Sequence, residues 1–490
     1  MTTQESPDAV ASVTGAGGAE QPAARLQGNM GTGELVMSVL AFSAPLTTVA
    51  GFIPVLLTFD GHSAPVIYLL LTALLLIFSV GFTAMGRKVP NPGGFYAFVT
   101  AGLGKSAGLG GALLAIFGYL TIGFFAPPFF AVTLQSYIVG LGGPEIPWVW
   151  FGLGIVALTT ALAYRRIDLS ARVLTTVMVL EVLACVVFEV AAFIHGGPAD
   201  GGGAVFALPD LGTATIGLAL LFAACNFMGF EATVIYREEV KDPSRTIPRA
   251  TYLAVGGIGL FYAIAAWSFQ AYLGADNAQS AAVADTAGLF NSAATVLIGK
   301  IFVDIVTVLL MTSVLASVLS IHNAGARYLF SLGTDNVLPS ALGKVHSRHH
   351  SPFVSASLVG ALWAVATVAF AMLGTSPESL YAKAVGIGAL AVVILMFAAS
   401  IAVVAYFWVR RDEAESVWKC FVAPVVAAAG IGFIAYLAIS NYSELLGDTG
   451  AITAFFLVIT FAVPVAGAIY AVVLRKQKPD VYQRIGRQQL

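Results

Sequence analysis

The chain has 490 residues, of which 58% are apolar and only 10% charged, with a mean hydropathy of +0.88 and a net charge of −2. Soluble domains carry about 25% charge on average, so a soluble globular protein is excluded and a polytopic membrane protein is expected. The three cysteines, Cys185, Cys225 and Cys420, sit in or beside apolar stretches; they have neither metal-ligand spacing nor a disulfide framework, and no metal site is expected.

In chain order, residues 1–32 are rich in Ser, Gly, Ala, Gln, Glu and Pro and lack an apolar core. They read as a disordered cytoplasmic tail and not as a signal peptide. A spanning helix needs about 20 apolar residues, and twelve segments qualify, at roughly 34–58, 64–85, 107–139, 147–165, 168–195, 213–236, 250–273, 293–321, 353–373, 380–410, 418–440 and 450–474. The first carries Phe42-Ser43-Ala44-Pro45-Leu46-Thr47-Thr48-Val49-Ala50-Gly51; Pro45 removes an amide and disfavours the helical turn before it. Between the second and third lies Pro90-Asn91-Pro92-Gly93-Gly94-Phe95-Tyr96, then a short amphipathic piece to about residue 104. The fifth holds Glu181 at mid-length and Glu189 about two turns further out; of lining an outer vestibule and simply reaching the interface, the latter is expected of Glu189. The sixth runs apolar from Ile216 to Phe230, meets Glu231 and turns charged at Arg237. A charge at the centre of a spanning helix costs roughly 2.5–3.5 kcal/mol, so Glu231 belongs in a bundle interior or a wet cavity. His346, His349 and His350 fall in a loop and read as solvated.

Basic residues gather on the cytoplasmic side of membrane proteins. With the amino terminus inside, the twelve-segment map puts 22 of the 24 Lys and Arg residues on that side, the exceptions being Lys300 and Lys383. An odd number of segments would scatter them. Both termini, including the 475–490 tail, are therefore expected in the cytoplasm. Lys300 stands four residues before Asp304 and can pair with it along one helix face.

Binding sites of many secondary transporters lie where corresponding helices of two inverted repeats are interrupted at mid-membrane. The stretches Phe42–Gly51 and Ala223–Glu231 occupy the first member of each of two five-segment halves, residues 33–195 and 212–410, followed by two further helices over 417–474. The fold class expected is an all-α integral membrane protein of twelve transmembrane helices, a leucine-transporter-like (LeuT-like) 5+5 inverted repeat plus two C-terminal helices. Unwound turns expose N–H groups on one side and carbonyls on the other, which suits a zwitterion. Candidate substrate-binding residues are Ser43, Thr47, Thr48, Ala50, Gly51, Cys225, Asn226, Phe227 and Gly229. Phe227 and Phe230 read either as gates or as packing. Glu231 reads either as a pathway carboxylate or as an ion-paired structural one.

The text Gly229-Phe230-Glu231 followed by Glu238-Glu239-Val240-Lys241-Asp242-Pro243-Ser244-Arg245-Thr246-Ile247-Pro248-Arg249-Ala250 closely resembles the signature of the amino acid–polyamine–organocation (APC) superfamily. Pro90-Asn91-Pro92-Gly93-Gly94-Phe95-Tyr96 is similar to that family's P-x-x-G-G-x-Y before its third helix. Asn323-Ala324-Gly325-Ala326-Arg327, Gly333-Thr334-Asp335, Leu338-Pro339 and Leu342-Gly343-Lys344-Val345-His346 resemble its loop after the eighth. The resemblance covers nearly the whole hydrophobic chain. It departs at the first break, where the family's G-[SA]-G is Val49-Ala50-Gly51. The resemblance also implies a role for Glu181: at the same distance after S-A-[RK], some members carry a lysine at the position where sodium-coupled relatives bind a cation between helices one, five and eight. Glu181 then either takes up and releases a proton, or completes a cation site with hydroxyls such as Ser317 or Ser320, or is structural.

The resemblance implies a secondary active permease of the cell membrane that moves an amino acid or related amine by alternating access, with a proton or sodium ion as partner. A sodium symporter, an exchanger of the same fold and a non-transporting nutrient-sensing receptor are the alternatives, and a homodimer is one state considered. No cofactor and no nucleic acid are expected, and no catalytic residue: phosphate-binding loop, zinc-ligand helix and nucleophile elbow are all missing.

Overall fold

The computed structural model describes residues 30–89, 93–165, 171–196, 207–213, 215–235, 237, 240–447 and 450–486. The tail over 1–29, Pro90-Asn91-Pro92, the serine before Ala171 and the Glu238-Glu239 pair lie outside the described residues. Among the described residues all regular structure is helical, apart from one isolated bridge between Met30 and Val240.

Among the described residues, eleven helices are long and apolar enough to cross a membrane: Thr32–Phe59, Ala64–Lys88, Lys105–Gly140, Trp148–Arg165, Thr175–His195, Pro243–Leu273, Lys300–Thr334, Phe353–Met372, Pro377–Val409, Trp418–Ser440 and Ala451–Gln477. They match eleven of the twelve expected segments. The sixth is two short helices, Ile216–Asn226 and Ala232–Ile235, separated by turns. Two helix ends differ from expectation. Helix starts at Pro243 and not near 250, and Lys300–Thr334 runs well past 321. The Asn323–Arg327 motif, expected in a loop, is therefore helical. Hydropathy marks where lipid ends, whereas a helix continues into water as long as its residues tolerate it.

Packing between helices rests on small residues, as expected where lipid removes the hydrophobic incentive for association. Gly388 of Pro377–Val409 meets the 105–123 helix so closely that a Cβ would lie 2.7 Å from the Gly118 carbonyl oxygen. The same 105–123 helix also packs on Ala451–Gln477. At the other end of the bundle Arg87 grips Glu415 with two hydrogen bonds, Nε at 3.0 Å and Nη2 at 2.7 Å, tying the end of Ala64–Lys88 to the start of Trp418–Ser440. Lys300 and Asp304 pair at 2.7 Å, as their spacing implied.

Candidate substrate site at two helix breaks

The first segment is broken where Pro45 requires it. Thr32–Ser43 ends at Ala44, whose φ of 45° is left-handed; Pro45 opens the next helix, and Thr48–Phe52 forms a π-helical turn. The sixth segment loses its helix after Asn226, and Gly229 takes φ 104°. The two breaks touch. Ser43 Oγ donates to the Asn226 carbonyl at 3.2 Å and lies 2.5 Å from the Tyr262 hydroxyl. Thr48 Oγ1 donates to the Ser43 carbonyl at 3.1 Å, capping an oxygen that the break leaves without a helical donor. Asn226 Nδ2 donates to the Tyr68 hydroxyl at 2.5 Å, while Asn226 Oδ1 is buried with no partner among the described residues.

A small cavity of about 30 Å³ lies at this junction, lined by Phe42, Ser43, Thr48, Phe52, Ile122, Phe125, Cys225, Asn226, Met228, Ser317 and Ile321. Its polar atoms are hydroxyl, amide and thiol groups, and no carboxylate or cation lines it. The volume is that of about one or two waters. A larger groove of about 590 Å³ runs between Trp148–Arg165 and Phe353–Met372; it is apolar, open and remote from both breaks, and it carries no chemistry of a solute site.

Of the candidate substrate residues, Ser43, Thr48, Cys225 and Asn226 meet at the cavity, joined by Ser317, which was expected near Glu181. Ala50 and Gly51 sit in the π-turn away from it; Gly51 is pressed against the Phe129 ring, 2.7 Å from where a Cβ would stand. Phe227 is buried beside Tyr68. Phe230 packs into a cluster with Phe78, Phe82 and Phe95. Gly229 abuts Phe42, and an added Cβ would lie 2.7 Å from Phe42 Cβ.

Thr47 belongs to a second cluster. Its Oγ1 donates to Ser313 Oγ at 3.0 Å, and Ser313 Oγ donates to Glu181 Oε2 at 2.7 Å. The Glu181 carboxyl also accepts the Leu46 backbone N–H. That amide is one of those exposed where the first segment's helix restarts after its break, so Glu181 acts as its side-chain cap. The cluster joins the first, fifth and eighth segments, with Ser313 in the place expected of Ser317 or Ser320. Ser320 is bonded to the Ala316 carbonyl of its own helix.

Glu231 is buried, and among the described residues it is not ion-paired: Oε1 accepts from the Tyr119 hydroxyl at 2.7 Å and Oε2 from the Gly229 N–H at 2.8 Å. Tyr119 stacks on Tyr328 at 5.8 Å. Glu189, expected at the interface, is also buried, with 5% exposure. Tyr68, Tyr119, Tyr262 and Ser313 escaped the sequence reading. A hydroxyl on an otherwise packed side chain leaves no periodic mark, and only the mid-segment position of the tyrosines could have flagged them.

A bundle of membrane-spanning helices with two touching breaks is the architecture of a membrane transporter. The chain belongs to the amino acid permease family, whose profile matches residues 34–483. It is 25% identical over 84% of its length to the low-affinity putrescine importer PlaP of Escherichia coli (strain K12), covering 89% of that protein. It is 26% identical over 73% of its length to the branched-chain amino acid permease BcaP of Bacillus subtilis (strain 168), covering 76% of that protein. The BcaP of Lactococcus lactis is 24% identical over 77% of this chain and 82% of its own.

Proposed function

We propose that this permease is a secondary active transporter of the cell membrane that moves an amino acid or related amine by alternating access, coupled to protons through Glu181. The reading takes both termini as cytoplasmic, with twelve crossings in a 5+5 inverted repeat over 33–195 and 212–410, followed by two helices over 417–474. The observation that carries it is the contact of the two helix breaks at Ser43 and Asn226, which line one cavity and leave Asn226 Oδ1 unpartnered among the described residues. Such a junction suits an ammonium and a carboxylate.

The names of the relatives define two substrate classes, a diamine and a branched-chain amino acid. The uncharged cavity lining supports the amino acid. Phe42, Phe52, Ile122, Phe125 and Ile321 suit an apolar side chain, whereas a second ammonium would need a carboxylate partner in lipid-like surroundings. Proton coupling is supported by a carboxyl that holds the first, fifth and eighth segments together through Leu46, Thr47 and Ser313. The side-chain oxygens of Thr47, Ser313 and Glu181 favour one second reading, a sodium site.

Purified protein in proteoliposomes, offered labelled leucine or putrescine under an inward proton gradient or an inward sodium gradient, tests this. Leucine accumulation driven by protons, in sodium-free buffer, is the expected result. Accumulation that collapses when sodium is replaced by choline at fixed pH overturns the proton assignment. Binding without flux of either solute overturns transport itself and leaves a receptor.

A further inference from the structure

Glu189 is a buried carboxyl that neither the substrate cavity nor the Glu181 cluster uses and, unlike Glu231, whose two oxygens both accept hydrogen bonds, it has no partner at Oε1 among the described residues. It lies eight residues beyond Glu181 on the Ala171–His195 helix, with Cys185 midway between. Steps of four residues advance about 40° around a helix and about 6 Å along it, so Glu181, Cys185 and Glu189 climb one face over about 12 Å. All three are buried. Glu189 Oε1 has no hydrogen-bond partner among the described residues, and none of the ion pairs there includes Glu189. A carboxyl kept for structure would be paired or bonded, since an unsatisfied buried polar atom only costs stability. Phe188 beside it is locked between Phe290 at 4.6 Å and Phe269 at 5.1 Å, which keeps bulk water from that side.

The helices packed around this face bring no counter-charge. Pro243–Leu273 presents Tyr262, whose hydroxyl is held by Ser43. Lys300–Thr334 carries Lys300 and Asp304, which satisfy each other. Leu289–Leu297 carries Phe290 and Asn291, and Asn291 Oδ1 is a second buried acceptor with no donor. The first segment contributes Leu46 and Thr47, already bound to the Glu181 cluster. Cys185 on the same helix is the remaining titratable neighbour.

We propose that Glu189 is a proton-relaying residue that loads and unloads Glu181 from the end of the helix marked by His195. The proposal rests on the proton-coupled reading of Glu181. In the loading step the Glu189 carboxylic O–H breaks, and its proton passes along a hydrogen-bonded water or the Cys185 thiol to the Glu181 carboxylate. The Glu189 carboxylate left behind then takes a proton from water at the His195 end. No oxidant, reductant or cofactor enters; loading adds one proton to the pair, unloading removes it, and the net charge returns to its starting value over a cycle.

The test is infrared spectroscopy of the purified full-length protein in lipid nanodiscs after a rapid pH jump, following the carboxylic-acid C=O bands. Bands are assigned by their loss in Glu181→Gln and Glu189→Gln. The expected result is a Glu189 band from a protonated buried carboxyl, and a Glu181 band that reaches its wild-type end point in Glu189→Gln but about tenfold or more slowly. Glu189→Asp, which keeps an ionisable group, should restore the rate at least in part. It also carries the test alone if the glutamine variant does not fold. A wild-type Glu181 rate in Glu189→Gln overturns the relay while leaving coupling at Glu181 intact. A Glu181 band that never titrates in the wild type overturns both.

Discussion

Gly229 meets two constraints at once. Its φ of 104° suits only glycine, and a Cβ there would stand 2.7 Å from Phe42. Gly229→Ala should therefore lower stability by about 1–3 kcal/mol, seen as a drop in the melting temperature of the purified protein; an unchanged melt would mean that the sixth segment repacks freely. At Glu181 the side chains separate two roles. Glutamine keeps an acceptor for Leu46 N–H and Ser313 but cannot give up a proton. Glu181→Gln should thus exchange external for internal leucine at near wild-type rate yet fail to concentrate it on a pH gradient. Concentration that survives would remove Glu181 from coupling. Asn226→Phe should fill the cavity and abolish leucine binding in a folded protein, read by calorimetry. These residues were legible because a charge or a carboxamide in an apolar run demands a reason. Ser313 was not: serines at 313, 317 and 320 look alike until the helix is built, and only the first faces the fifth segment's carboxyl.

Among elements, the first break was legible from Pro45, but its placement one turn ahead of Ala50 and Gly51 was not. Proline dictates where an amide is missing, whereas the left-handed turn falls on Ala44, a residue with no intrinsic preference for it. The extents of Pro243–Leu273 and Lys300–Thr334 were illegible for a related reason, since polar helix ends outside lipid look like loop. One such polar contact is open to test. The Arg87 guanidinium, with help from Lys419, holds the Glu415 carboxyl below the ordinary glutamate range. A carboxyl with a depressed value in the folded state contributes stability above its unfolded value, and loses that contribution as pH falls through the depressed one. The pair is largely exposed, so the gain is at most about 1 kcal/mol. Glu415→Gln should lower the melting temperature slightly at neutral pH and not at all in acid; an equal loss at both would show that packing and not charge is at work.

For the whole molecule, composition and the distribution of basic residues fixed the class, because lipid tolerates few alternatives to apolar helices. How the helices lean on one another lay in glycine contacts such as Gly388 on Gly118, which no single segment announces. Topology remains testable by cysteine labelling. The three native thiols are buried, so the background is low. Cysteines introduced at Lys88 or Gln477 should resist a membrane-impermeant maleimide applied from outside, while those at Asp285 or Thr375 should react. The opposite pattern would invert the twelve-segment map.

The size of the cavity between the breaks has a thermodynamic consequence. At about 30 Å³ it is too small for an amino acid, so on the proposed site solute binds only to conformers in which walls such as Phe42, Phe125 and Met228 have drawn apart. Apparent affinity is then the intrinsic affinity scaled by the fraction of molecules in that open form. Trimming one of these walls, for example Met228→Ala, raises that fraction and tightens binding, even though it removes a surface the solute would touch. On the proposed site, a substitution that loosens this narrow conformer should strengthen the hold on substrate.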